Sequence, residues 1–197
     1  RIILIDYPGF NLRMAKKCAR LSIPITYFIL PQLWAWKENR IKTFHKFIDQ
    51  SLSIFPFEQG WYEKRGVSAN YVGHPFTELA PPKQTKSEFF RKHKLKESTK
   101  ILTLLPGSRQ QEIDKMWPVF YEAACEIKKN NNVEIMVAKS SGVNLTHKEY
   151  CHIEEEDVYA SILYATAAIT ASGTAALECA VLDTPQVVCY KLSSFSA

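Results

Sequence analysis

The 197-residue chain is poor in the residues that most often announce a site. Glycine occurs only 7 times, and neither a G-x-x-x-x-G-K-[ST] phosphate loop nor a G-x-S-x-G nucleophile turn is present. That excludes a P-loop NTPase and an elbow-type hydrolase. The five cysteines (Cys18, Cys125, Cys151, Cys179, Cys189) form no C-x-x-C pair and stand mostly among apolar residues. They read as reduced core thiols of a cytosolic protein, not as a disulfide framework. His147, Cys151 and His152 lie in a polar stretch without zinc-finger spacing, so no metal is expected. No apolar run approaches the ~20 residues of a spanning helix. An initiator Met is also lacking: Arg1 runs straight into Ile2-Ile3-Leu4-Ile5, as expected of an internal piece of a longer protein.

What is present is ordinary globular material, 46% hydrophobic, long enough for one sizeable core or two small ones. Charge is uneven. Residues 1–100 carry 18 Lys and Arg against 8 Asp and Glu, a net of +10, whereas residues 101–197 carry 7 against 12, a net of −5. Two units with different surroundings are expected. The basic half suits phosphate or anionic headgroups as well as a plain solvated surface. It lacks an aromatic-basic stacking platform, so no nucleic acid is expected.

Apolar runs alternate with helix-period segments from the start. Ile2–Ile5 reads as a buried parallel strand, Asp6 to Phe10 as a turn, and 12–21 as a helix capped by Asn11. Strands at 25–30, 51–55 and 70–72, with helices between, complete a first unit at 1–76. Residues 77–99, with Pro81-Pro82-Lys83-Gln84 and a short basic helix, read as a linker. Alternation resumes over 100–197, with strands at 101–105, 133–138, 167–170 and 186–190 and helices near 110–129, 155–165 and 174–182. The fold class is α/β: two Rossmann-like parallel-sheet domains facing a cleft, both incomplete.

Two turns in the second half carry the chemistry. Leu104-Leu105-Pro106-Gly107-Ser108-Arg109 and Ala171-Ser172-Gly173-Thr174-Ala175-Ala176-Leu177-Glu178 each join an apolar strand to a helix through small residues. Such turns present backbone N–H groups and a positive helix end to a phosphorylated ligand. Arg109 adds a fixed cation suited to bidentate phosphate contact. Glu178 falls one helical turn after Thr174, on the same face, where it can accept from ribose hydroxyls. Each turn alone is equally a plain helix start.

In the first half, Asp6 ends a strand, where a carboxylate can act as general base or merely bond the following turn. Pro31-Gln32-Leu33-Trp34-Ala35-Trp36 sets two Trp beside Lys37, Arg40, Lys42 and Lys46. That is either an interfacial or acyl-chain surface, or a packed corner of the core. His74, in Gly73-His74-Pro75, is either a cleft imidazole or a structural hydrogen-bonder.

Taken together these segments resemble the lipid-A-disaccharide synthase family. The resemblance runs through Ile5-Asp6-Tyr7-Pro8-Gly9-Phe10-Asn11-Leu12, Pro31 to Trp36, Ile54-Phe55-Pro56-Phe57-Glu58, Tyr71-Val72-Gly73-His74-Pro75, Leu104 to Arg109, and Ala171 to Glu178 with Thr184-Pro185. Six unspecific pieces in the family's order become specific together. The resemblance implies a GT-B glycosyltransferase. It would transfer 2,3-diacylglucosamine, with inversion and without metal or other cofactor, from its UDP derivative to 2,3-diacylglucosamine 1-phosphate. It implies work at the cytoplasmic face of an anionic inner membrane. It places the base on Asp6, the essential arginine on Arg109, and the UDP contacts on Ser108, Ser172, Gly173, Thr174 and Glu178. Gly9 departs from a pattern in which many members carry a second aspartate. The family's N-terminal glycine-, glutamate- and serine-rich loop and its C-terminal segment lie outside this sequence, so the piece alone is not expected to be active. The alternatives are another GT-B nucleotide-sugar enzyme and a non-catalytic nucleotide-sugar or anionic-lipid binding module.

Overall fold

In a computed structural model of the chain, residues 1–78 and 82–191 are described. The chain divides into two compact units, Arg1–Glu78 and Leu79–Ala197.

The first unit is a four-stranded parallel sheet in the order β1 (Ile2–Ile5), β2 (Ile25–Phe28), β3 (Gln50–Ser53), β4 (Ala69–Tyr71). Parallel neighbours require crossovers, supplied by α1 (Pro8–Cys18), α2 (Ile41–Phe47) and α3 (Pro56–Glu63). Leu12 and Ala15 of α1, Phe44 of α2 and Tyr62 of α3 pack with Leu4, Ile25 and Tyr27 in one core. β1 is less buried than its sequence suggests. It lies at the sheet edge, and Leu4 points into the core while Ile3 and Ile5 are exposed at 61% and 56%. The first helix starts earlier than expected, with Pro8 at its first turn, where the missing N–H costs nothing. Asn11 is therefore inside the helix. It does not cap it; its Nδ2 reaches back to the carbonyls of Ile5 (2.8 Å) and Asp6 (2.7 Å).

The second unit is a five-stranded parallel sheet in the order β7-β6-β5-β8-β9, with β5 (Lys100–Leu105) central. β6 (Val133–Ala138) and β7 (Cys151–Glu154) lie on one side, β8 (Ala167–Ala171) and β9 (Gln186–Cys189) on the other. The helices are α4 (Lys86–Lys92), α5 (Gln110–Asn130), α6 (Val158–Leu163) and α7 (Thr174–Val181). All five cysteines are unpaired. No helix among the described residues is long and apolar enough to cross a membrane.

The expected linker, 77–99, is folded into the second unit from α4 onward. Phe89 and Phe90 are fully buried against Ile101, Met136 and Ala160. Polar groups fasten the same element. Lys92 Nζ meets Glu154 Oε2 at 2.9 Å and Glu156 Oε2 at 2.8 Å, and His93 Nε2 meets Glu154 Oε2 at 2.9 Å. The acidic run Glu154–Asp157 divides its duties. Asp157 caps α6, as a helix start should be capped. Glu154 instead closes β7, a strand the sequence pattern does not show. Burial pushes the Glu154 carboxyl up, but the N–H of Asp157, Lys92, His93 and the N–H of Glu156 outweigh it and hold it at about 2, against an ordinary 4.5. A carboxyl depressed in the folded state contributes its full stability above its unfolded value and loses it as pH falls from about 4.5 toward 2. Urea unfolding of the full-length protein between pH 5 and 2.5 is expected to show this loss. Glu154→Gln is expected to be less stable at pH 7 and to have a flatter slope over that range; an unchanged slope refutes the assignment.

Candidate functional site

The strand order brings the two small-residue turns together. β5 pairs with β6 on one side and β8 on the other, so the chain leaves β5 and β8 on either side of a topological switch point, where open α/β sheets bind ligands. A cavity of about 570 Å³ lies there, within the size range of ligand pockets. Ser108, Arg109, Ser172, Gly173, Thr174 and Glu178 all line it.

The backbone supplies most of the donors. The N–H groups of Ser108, Arg109, Gln110 and Gln111, before and in the first turn of α5, donate to nothing among the described residues, nor do those of Gly173, Thr174 and Ala175 at α7. Ser172 differs: its N–H donates to Cys189 O at 2.9 Å, which ties the turn to β9. Gly107 adopts φ +123°, which is strained for any residue with a side chain, and an added Cβ would also come within 3.1 Å of Glu112 Oε2. Arg109 precedes α5 with an extended backbone, and its guanidinium pairs with Glu112 Oε1 at 2.9 Å. Both side chains are open to solvent, at 80% and 45%, so the pair is weak and Arg109 can turn to a stronger anion. The Glu178 carboxyl is half-buried, and burial raises it above the usual carboxylate range.

Asp6 belongs to the first unit, whereas the residues lining this cavity belong to the second. It follows β1 and adopts φ +46°, with Tyr7 at +41°. Two successive non-glycine residues in the left-handed region are strained, and Tyr tolerates it poorly. The turn is held from outside. Asp6 N–H donates to Phe28 O at 2.9 Å, and its carbonyl accepts from Tyr27 Oη at 2.6 Å and Asn11 Nδ2 at 2.7 Å. The carboxylate accepts no hydrogen bond among the described residues and is exposed.

The Trp loop is not a packed corner of the core. It buries Pro31 and Leu33, while Trp34 and Trp36 are exposed at 42% and 69%. Trp34 Nε1 donates to Glu58 Oε1 at 3.3 Å, and Lys37 Nζ sits 3.9 Å above the Trp36 ring. His74 is a hydrogen-bonder in its own turn. Its Nδ1 accepts from Phe76 N–H at 3.1 Å, and its ring packs between Phe55 and Phe76.

A family model described as lipid-A-disaccharide synthetase matches residues 1–197. The chain belongs to the lipid-A-disaccharide synthase family. Among curated relatives of that name, the protein of Solibacter usitatus is 34% identical over 200 residues, spanning 98% of this chain and 52% of its own length. The protein of Coxiella burnetii is 33% identical over 198 residues, spanning 98% and 53%. The chain thus spans about half the length of the curated relatives it matches. Among solved structures, UDP-GlcNAc 2-epimerase from Neisseria meningitidis bound to UDP-GlcNAc aligns with TM-score 0.62, 10% identity, and coverage of 98% of this chain and 60% of that one. A spinosyn rhamnosyltransferase complexed with thymidine diphosphate aligns with TM-score 0.59, 12% identity, and coverage of 96% and 53%. At such identities the likeness is one of fold: two parallel-sheet α/β units of the GT-B class.

Gly9 sits in the first turn of α1, and an added Cβ would meet nothing within 4 Å. That turn holds no acidic residue. Gly9→Asp is therefore expected to stabilise the fold by about 0.5–1.5 kcal/mol, through lost chain entropy and a charge favourable at a helix start. Urea unfolding of the full-length protein measures it, and a loss of stability would show that the site has no room for a side chain. The sequence does not single out Glu112, Ala138, Ser140, Val158 or Tyr159, which also line the cavity; of these the aromatic one is Tyr159, in the first turn of α6. Its only signal was its place two residues after a capping Asp.

Proposed function

We propose that the full-length protein is a UDP-sugar glycosyltransferase of lipid A biosynthesis. It transfers 2,3-diacylglucosamine from its UDP derivative to 2,3-diacylglucosamine 1-phosphate, releasing UDP. The observation that carries this is the convergence of Ser108, Arg109, Ser172, Gly173, Thr174 and Glu178 on one cavity, in a chain whose family acts in lipid A synthesis. Unpaired N–H groups at two helix starts suit a diphosphate, and Glu178 suits ribose hydroxyls. The likeness to a fold solved with UDP-GlcNAc adds weight to that use of the cavity.

In this reading Asp6 takes the proton of the acceptor 6-hydroxyl as its oxygen bonds the donor's anomeric carbon. The bond from that carbon to the diphosphate breaks, UDP leaves with the electron pair, and the anomeric configuration inverts. Arg109 and the helix starts at 108–111 and 173–175 stabilise the departing charge, so the step uses no metal. The exposed Trp36 with Lys37 above it, in a unit rich in Lys and Arg, suits acyl chains and the anionic cytoplasmic face of an inner membrane.

The test is UDP release by the full-length protein given the diacylated UDP-glucosamine donor, with and without the diacylated sugar-phosphate acceptor. Acceptor-dependent release with formation of a tetraacylated disaccharide supports the proposal. Donor binding without release favours a nucleotide-sugar binding module.

A further inference from the structure

A smaller cavity, of about 170 Å³, lies in the first unit between α1 and the start of α2. Its walls carry Arg13 and Lys16 of α1, Arg40 just before α2, and Thr43 of α2. None of the three cationic side chains makes an ion pair or a hydrogen bond among the described residues, and neither does the Thr43 hydroxyl. Arg40 is half-buried, so its charge is partly withdrawn from water without a partner. The two helices supply no counter-charge, since neither contains an acidic residue. Glu38, close to Arg40 in the chain, is held by Arg65 at 2.6 Å. The cavity also meets the N-terminal, positive end of α1, where Gly9 lines it and the Gly9 N–H donates to nothing among the described residues. Scattered surface cations need no partner. Three of them with a hydroxyl and a free helix start around one hollow select an anion.

This hollow stands next to the Asp6 turn. Pro8, two residues after Asp6, forms part of its wall. Tyr27 connects the two: its hydroxyl donates to Asp6 O at 2.6 Å. Burial and the Asp6 charge raise that hydroxyl while Arg40 pulls it down, so Asp6 and Arg40 act on one group with opposite signs. In a glucosamine 1-phosphate, the carbon bearing the phosphate and the carbon bearing the hydroxymethyl group flank the ring oxygen. A sugar whose 6-hydroxyl is at Asp6 therefore has its phosphate within a ring's width of that carboxylate. Asp6 repels a phosphate so close, and unpaired cations beside it offset the repulsion.

We propose that this cavity binds the phosphate monoester of the acceptor sugar, with Arg40 as its main contact and Arg13, Lys16 and Thr43 around it. This rests on the transfer reading above and adds to it the residues that select a phosphorylated acceptor. The test is steady-state kinetics of the full-length protein with 2,3-diacylglucosamine 1-phosphate and with 2,3-diacylglucosamine lacking the phosphate, the latter as substrate or as competitor. Arg40→Gln is expected to raise KM for the phosphorylated acceptor about 10-fold, the scale of one charge-assisted hydrogen bond. It is expected to leave the donor KM and the affinity for the unphosphorylated acceptor unchanged. Arg40→Lys is expected to recover part of the loss, since the charge returns without the planar fork. Lys16→Gln changes an exposed side chain and is expected to act in the same direction, by about 2- to 5-fold. Equal weakening of both acceptors by Arg40→Gln overturns the inference in favour of a structural arginine. Unchanged KM values in Arg40→Gln and Lys16→Gln overturn it too. Sedimentation with phosphatidylglycerol vesicles tests the other source of phosphate. If Arg40→Gln weakens vesicle binding and leaves the preference for the phosphorylated acceptor intact, the cations serve a membrane surface and the inference falls. If the unmutated protein transfers to neither acceptor, the transfer reading itself falls and takes this inference with it.

Discussion

Asp6→Asn in the full-length protein is expected to lower the transfer rate by about 10²–10⁴-fold, the usual range for a general base, while UDP still binds. The substitution removes a proton acceptor and little else. Asn adopts the left-handed backbone as readily as Asp, so φ +46° is no obstacle. The turn is held through the main chain, by Tyr27 Oη and Asn11 Nδ2 on the Asp6 carbonyl and by Phe28 O on its N–H. None of these bonds uses the carboxylate, so the fold keeps its support. The cavity proposed for the nucleotide is lined by residues of the second unit, which is why UDP affinity is expected to stand. Rates measured alongside UDP affinity by calorimetry decide the matter. Normal turnover in Asp6→Asn would remove Asp6 from the chemistry.

Arg109→Ala is expected to lower the transfer rate by about 10²–10³-fold, the scale of one preorganised electrostatic donor. The stability of the fold should hardly change. The guanidinium is 80% exposed, and its partner Glu112 is 45% exposed, so the lost ion pair is one that solvent already screens. Arg109→Lys is expected to recover only part of the rate, because a point charge does not reproduce the planar fork that meets two phosphate oxygens. Steady-state kinetics with a thermal melt on each variant separates the two effects. An unchanged rate would leave Arg109 as a surface residue of α5.

Local pattern places both residues where an apolar strand gives way to a turn, while their proposed roles come from the family resemblance. The second site turn, Ala171 to Glu178, was legible from the same pattern, and β6 falls on Val133–Ala138 as its apolar run predicts. Elements that depend on distant partners were not. Cys151–Glu154 contains neither alternation nor a run of strand formers, yet it forms β7 because the edge of β6 offers it a ladder, from Ile135↔Cys151 to Ala138↔Glu154. Its last residue is then buried by Lys92 and His93, some sixty positions away. Residues 77–99 read as a linker because Pro81-Pro82-Lys83-Gln84 is polar and proline-stiffened and the helix after it is short and basic. That helix's two phenylalanines, buried under Ile101 and Met136, outweigh its charges once there is a sheet to cover.

The strain at Asp6 and Tyr7 is a case of the same kind. Asp-Tyr-Pro-Gly is a turn on composition alone, but nothing in those four residues requires the left-handed backbone of the first two. Tyr27 and Asn11 impose it from outside.

Short-range chemistry thus settled the α/β class, the strand-turn-helix junctions and the residue types at them, since hydrophobic period and turn residues act over a few positions. The assembly of a site from those junctions was a matter of strand order. β8 lies against β5, with Leu105 opposite Thr170, although β6 and β7 intervene in the chain. That pairing is what brings Ser108 and Arg109, Ser172 and Thr174, and Tyr159 of α6 with Glu178 of α7 onto the walls of one cavity. Pairing between strands more than sixty residues apart is decided by how all the apolar faces are buried at once, which no local window contains.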